Sequence, residues 1–206
     1  HQLPAPLSQG VRDSVTVQGS TIYFLGYGNT AGGVDAQAKI AVSTDGGLNW
    51  QPIHDPCGPT PSGATGESDA TALAAGPGGA AAVLCQPRLA PSTQFLVTRA
   101  STGASFGGPV AIPVPAGGEV AAVGVGSASD IALAVQGPGS AFSLLVSRDG
   151  GSSWHTGLVL DVSTAGASPP PTVVYRGTST IHVTMGTPQL WTSTDSGSSW
   201  QSSAPD

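Results

Sequence analysis

The side chains able to do chemistry are few: twelve acids against six bases, with a net charge of −6 and charged residues at 9% of 206. Asp13, Asp69 and Glu119 each open a short apolar run. Three carboxylates gathered at one mouth would offer oxygen ligands to Ca²⁺ or Mg²⁺, or a counter-charge to a cationic ligand. The plainer reading is that each caps its own turn and faces water. The histidines, His1, His54, His155 and His182, show no ligand spacing such as i, i+4, so no bound metal or cofactor is expected. Serine is abundant, yet no Gly-x-Ser-x-Gly elbow is present. Gly76-Pro77-Gly78-Gly79 reads as a turn rather than a phosphate loop, because neither a lysine nor a helix pattern follows it.

Three more acids, Asp45, Asp149 and Asp195, recur inside a repeated octet, Ser-x-Asp-x-Gly-x-x-Trp. Its full copies carry Ser43, Asp45, Gly47 and Trp50; Ser147, Asp149, Gly151 and Trp154; and Ser193, Asp195, Gly197 and Trp200. A decayed copy from Arg99 to Phe106 keeps Gly103 and an aromatic at its last position. The copies begin at 43, 99, 147 and 193, a period typical of propellers and related repeat arrays. The chemistry is local. Asp and Ser side chains bond nearby backbone N–H groups, Gly supplies a positive φ, and Trp is a large apolar anchor. Each copy follows a short apolar run, so the unit reads as a strand–turn–strand hairpin.

The octet resembles the Asp-box, or BNR repeat, of sialidases, sortilin-type receptors, photosystem II assembly factors and some large glucanases. The resemblance implies a hairpin between the third and fourth strands of a propeller blade. It also implies that the octet acids lie in separate peripheral turns and are structural rather than catalytic. The period extends the resemblance over the whole chain.

The expected fold is all-β: a small propeller of four blades, each of four antiparallel strands, in one domain over 1–206. The blades span about 11–54, 67–112, 118–160 and 171–206, preceded by an arm at 1–10 that adds a strand to the last blade. Thirty Gly and eighteen Pro punctuate the apolar β-branched runs, as turns between many short strands require. Small residues on inner strands (Ala70, Ala72, Ala74, Ala121, Ala122, Gly124) let sheets approach a tight axis. An open array completed by a homodimer, or a piece of a longer propeller, is the alternative to a closed ring.

One lysine, Lys39, and a negative net charge argue against nucleic acid and anionic membranes as partners. No apolar run reaches the ~18 residues of a membrane span. Cys57 and Cys85 are expected to form a disulfide, which would add roughly 3–4 kcal/mol by loop closure; two free buried thiols are the alternative. The low charge and the cysteine pair suggest a secreted or extracytoplasmic protein.

Sialidases, by the same resemblance, use an arginine triad, a Tyr–Glu nucleophile pair and an acidic proton donor. Outside the octets this chain has only Arg12, Arg88 and Arg176, and Tyr175 with Glu119 is the single pairing to consider. Tyr23, Tyr175 and Trp191 read as packing residues, while Tyr27 with Asn29 could join a carbohydrate or peptide surface. The function expected is a noncatalytic binding module that presents loops to a protein partner or a cell-surface glycan. The alternative is a glycan-binding protein or glycoside hydrolase using the carboxylates at the channel mouth.

Overall fold

The computed structural model describes residues 10–28, 38–58, 68–87, 93–138, 141–161 and 170–204. Its apolar runs form sixteen strands. Blade 1 holds β1 (Gly10–Gln18), β2 (Thr21–Gly28), β3 (Ala38–Ser43) and β4 (Gln51–Ile53). Blade 2 holds β5 (Ser68–Ala75), β6 (Ala81–Pro87), β7 (Phe95–Arg99) and β8 (Val110–Ala111). Blade 3 holds β9 (Glu119–Val125), β10 (Ile131–Gln136), β11 (Ala141–Ser147) and β12 (His155–Asp161). Blade 4 holds β13 (Thr172–Arg176), β14 (Thr180–Met185), β15 (Thr187–Ser193) and β16 (Gln201–Ser203). Every sheet is antiparallel, with its strands in chain order. The chain is a four-bladed β-propeller. The expected arm lies outside the described residues, apart from Gly10 at the start of β1. The Tyr27 side chain and Asn29 lie outside them as well.

Blade packing explains the composition of each run. Ile131, Leu133 and Val135 of β10 join the core with blade 2, while Ala132 and Ala134 of the same strand join the core with blade 4. A strand buried on both faces reads as continuously apolar rather than alternating. β13 is different: Val173 and Tyr175 are buried, whereas Thr172, Val174 and Arg176 are exposed. Among the described residues, the substantial contacts between sheets join blade 1 to 2, 2 to 3 and 3 to 4.

Close approach depends on the first strands. Gly124 and Gly126 lie under Val173 and Tyr175. A Cβ on Gly126 would stand 2.5 Å from the Tyr175 ring and 2.9 Å from the Thr178 carbonyl. Ala70 and Ala74 are likewise buried.

The Cys57–Cys85 disulfide is present, with Cα atoms 5.5 Å apart and a sequence separation of 28. It ties the segment leaving blade 1 to β6, within the core that holds Leu25, Ile40, Val83 and Phe95.

Candidate functional site

The octets use their own acids. Ser43 Oγ donates to Asp45 Oδ1 at 2.8 Å and accepts the Gly47 N–H at 2.8 Å. Asp45 then accepts the Asn49 backbone N–H at 2.9 Å and its side-chain amide at 2.6 Å. The same net recurs around Asp149, with Ser147, Gly151 and Ser153, and around Asp195, with Ser193, Gly197 and Ser199. Gly47, Gly151 and Gly197 take φ of 91°, 93° and 85°, the left-handed region that glycine occupies most readily.

These hydrogen bonds favour the charged carboxylates. Asp45 is held down to about 2, chiefly by the Asn49 N–H and amide and then by Ser43. Asp149 is also at about 2, chiefly through Ser153. Asp195 is held well below the usual range, first by Ser199. Acids fixed in the ionised form are unsuited to proton donation near neutrality.

Blade 2 replaces this net with a cation. Arg99 stands where the other blades have the octet serine, and it is only 5% exposed. Its guanidinium lies 4.8 Å from the Tyr23 ring centroid and 5.3 Å from that of Phe106. Arg99 Nε donates to the Tyr23 hydroxyl at 2.9 Å, and that hydroxyl donates to the Gly79 carbonyl at 2.7 Å. Burial raises the Tyr23 pKa, against a smaller lowering by Arg99.

Two other boundaries have polar ties of their own. Gln94 Oε1, in blade 2, accepts the Val120 N–H of blade 3 at 2.8 Å. Arg148 of blade 3 donates to the carbonyls of Asp195 and Ser196, at 2.6 and 3.1 Å, and to the Ser198 hydroxyl. Sequence reasoning missed all three ties. The one available signal was Arg99, a cation at an octet position that elsewhere is serine.

The acids expected at a channel mouth do not share one register position. Asp69 pairs with Gln86 and Glu119 with Gln136, each followed by a bulge, so these two are equivalent. Asp13 pairs with Gly26, the position held by Ala70 and Val120 in the next blades. Asp69 is half-buried and Glu119 exposed; the Asp13 side chain lies outside the described residues. No group of three or more His, Cys, Asp or Glu among the described residues is placed to hold a metal ion. Tyr175 packs on Gly126, seven residues along from Glu119, or about 23 Å of strand. These two residues therefore cannot act as a nucleophile pair.

Two open depressions lie on the described surface beside the octets of blades 3 and 4. One, of about 450 Å³, is lined by Arg148, Ser153, His155 and Ser198. The other, of about 580 Å³, runs between blades 2 and 3, with residues 109–113 on one wall and residues 151–154 on the other. Trp154 breaks the octet pattern there. Trp50 and Trp200 donate Nε1–H to the carbonyls of Gly47 and Gly197 at 3.1 and 3.2 Å. Trp154 Nε1 is buried and has no acceptor.

No protein-family model matches the sequence, and no curated protein matches it. Solved structures do match in shape. An exo-β-1,3-galactanase from Phanerochaete chrysosporium, determined with β-1,3-galactotriose, superposes with a TM-score of 0.54 at 12% identity, covering 96% of this chain and 50% of that one. A mutant Trypanosoma rangeli sialidase displaying trans-sialidase activity gives 0.55 at 12% identity, covering 95% and 37%. A Dyadobacter fermentans protein of unknown function gives 0.54 at 17% identity, covering 93% and 64%. The chain thus spans half or less of the length of the galactanase and the sialidase. At these identities the likeness is one of fold, and the fold is a β-propeller.

Proposed function

We propose that the chain is a noncatalytic, extracytoplasmic binding module of Asp-box construction, which holds an extended segment of a protein partner in the groove between blades 2 and 3. The groove beside Trp154 carries this reading. One wall contains β8, a two-residue outer strand paired on one side with β7, and an exposed strand edge can accept an added strand. Pro109 and Pro113 flank that edge, and Trp154 lies on the facing wall. The net charge of −6 favours a neutral or basic partner over nucleic acid. The disulfide fits an oxidising compartment, and among the described residues no helix is long and apolar enough to cross a membrane.

A glycan ligand is the second reading, favoured by the fold shared with a galactanase and a sialidase and by Asp69 and Glu119 at equivalent positions. Parallel peptide and glycan arrays, probed with the wild type and Trp154→Ala, separate the two. Retention of extended peptides that Trp154→Ala abolishes is the expected result. Glycan retention or sugar release that instead depends on Asp69 and Glu119 would replace the first reading with the second.

A further inference from the structure

Ser153 lines both depressions, so the groove between blades 2 and 3 adjoins the hollow that holds Arg148 and His155. The two differ in charge. Residues 109–113 and 151–154 give the groove no ionisable side chain, whereas the hollow has two basic ones. Both are peculiar to blade 3. Arg148 follows the octet serine, where the other repeats have Thr44, Ala100 and Thr194. His155 pairs with Val146, and the matching residues of blades 1 and 4, beside Val42 and Thr192, are Gln51 and Gln201.

Arg148 is held in place without being neutralised. Its Nε and Nη2 donate to the carbonyls of Asp195 and Ser196 and to the Ser198 hydroxyl. None of these acceptors carries a charge. A guanidinium has five N–H donors, and the two on Nη1 take no part in those bonds. The carboxylates of the two octets are turned to their own nets: Asp149 to Ser147 and Ser153, Asp195 to Ser193 and Ser199. The Ser153 and Ser198 hydroxyls already donate, to Asp149 and to the Asp195 carbonyl. The side-chain donors left in the hollow are those of Arg148 and His155. A positioned guanidinium beside an imidazole suits a carboxylate.

We infer that the extended partner segment carries an acidic side chain, Asp or Glu, which pairs with Arg148 beside His155 while the apolar flank of the segment lies in the groove along β8 and Trp154. The inference rests on the peptide reading of that groove. The recognising groups are side chains rather than a nest of backbone N–H groups, which favours an acid within the segment over a free C-terminus. From Ser153 to His155 is two residues, or ~7 Å of extended chain, so the acid belongs just outside the apolar stretch. The partner as a whole stays neutral or basic, as the net charge of −6 favours.

Fluorescence polarisation with synthetic peptides of alternating valine and threonine, each with one glutamate at a successive position, tests the pairing. One glutamate position is expected to bind tightest. Glutamine in its place, a change that leaves the protein untouched, is expected to weaken binding roughly tenfold or more, and lysine to weaken it further. His155→Gln, which installs the residue of blades 1 and 4, is expected to weaken the glutamate peptide and spare the glutamine one. Arg148→Gln is expected to do the same more strongly. Arg148 also ties blades 3 and 4, and the glutamine peptide controls for that: a distorted groove weakens both peptides, a lost charge only the glutamate one. Equal affinity for the glutamate, glutamine and lysine peptides, abolished by Trp154→Ala, overturns the acid and leaves the groove reading standing. Binding that is abolished by amidating the peptide's C-terminus overturns it in favour of a terminal carboxylate. Retention of a glucuronate-bearing oligosaccharide and of no peptide overturns both this inference and the reading beneath it.

Discussion

Arg99 Nε donates to the Tyr23 hydroxyl at 2.9 Å, across the boundary between blades 1 and 2 and 76 residues apart in sequence. The guanidinium stacks on the Tyr23 and Phe106 rings, so the ring faces and a tyrosine oxygen stabilise this buried cation. Tyr23→Phe removes the acceptor from Arg99 and the donor from the Gly79 carbonyl, at an expected cost of about 1–3 kcal/mol. Arg99→Ala is expected to cost about 3 kcal/mol. Urea unfolding of both singles and the double should return a coupling above ~0.5 kcal/mol; additive costs would show that the two residues act independently.

Acid titration should report the octets. Their aspartates have folded-state pKa values depressed to about 2 for Asp45 and Asp149, and lower still for Asp195. The stability they contribute is present above the unfolded aspartate value near 4. It is lost as pH falls through about 2. Thermal midpoints measured across that window should fall steeply for the wild type. The fall should be shallower in Asp45→Asn/Asp149→Asn/Asp195→Asn.

Much of this was readable in advance because the side-chain net of the octet is local. The bonds that Ser43 and Asp45 make to Gly47 and Asn49 form inside eight residues, so pattern alone reports their geometry. The strands before each octet were legible for similar reasons, and the cysteine pair because the chain has two cysteines. Sheet facing was not, because Val173 and Val174 are identical in type yet lie on opposite faces. The offset of Asp13 from Asp69 and Glu119 was hidden too, since only pairing reveals a one-residue step, and such a step reverses a side chain's face. The groove beside Trp154 joins residues some 40 apart whose approach depends on how blades stack.

Gly126→Ala should strain the boundary of blades 3 and 4. The new methyl meets the Tyr175 ring and the Thr178 carbonyl at 2.5 and 2.9 Å. Backbone cannot yield as a flexible side chain does, so a loss of about 1–3 kcal/mol is expected by chemical denaturation.

Tyr175→Phe should behave unlike Tyr23→Phe. The Tyr175 hydroxyl is buried without a partner, and burial, with a further push from Asp130, raises its pKa. Deleting an unsatisfied hydroxyl removes a desolvation cost, so a gain of up to about 1 kcal/mol is expected in the same assay. A loss comparable to that of Tyr23→Phe would reveal a bonded hydroxyl.

Ser196 takes φ 55°, where the equivalent octet positions are Gly46 and Gly150 at 73° and 71°. Ser196→Gly relieves a left-handed side chain and should stabilise the fold by about 1 kcal/mol, measured by thermal melting. The Arg148 bonds reach the Ser196 backbone carbonyl, so the substitution leaves them in place.

The three boundary ties share no chemistry: an arginine between aromatic rings, a buried glutamine amide on a strand N–H, and an arginine on turn carbonyls. Near-identical units risk pairing with the wrong neighbour as they fold. Here each junction has its own lock, so a blade seated in another's place forfeits it, and at the first two junctions leaves a buried polar group unmet. Order along the array is thus proofread at its seams, while the octets can stay alike.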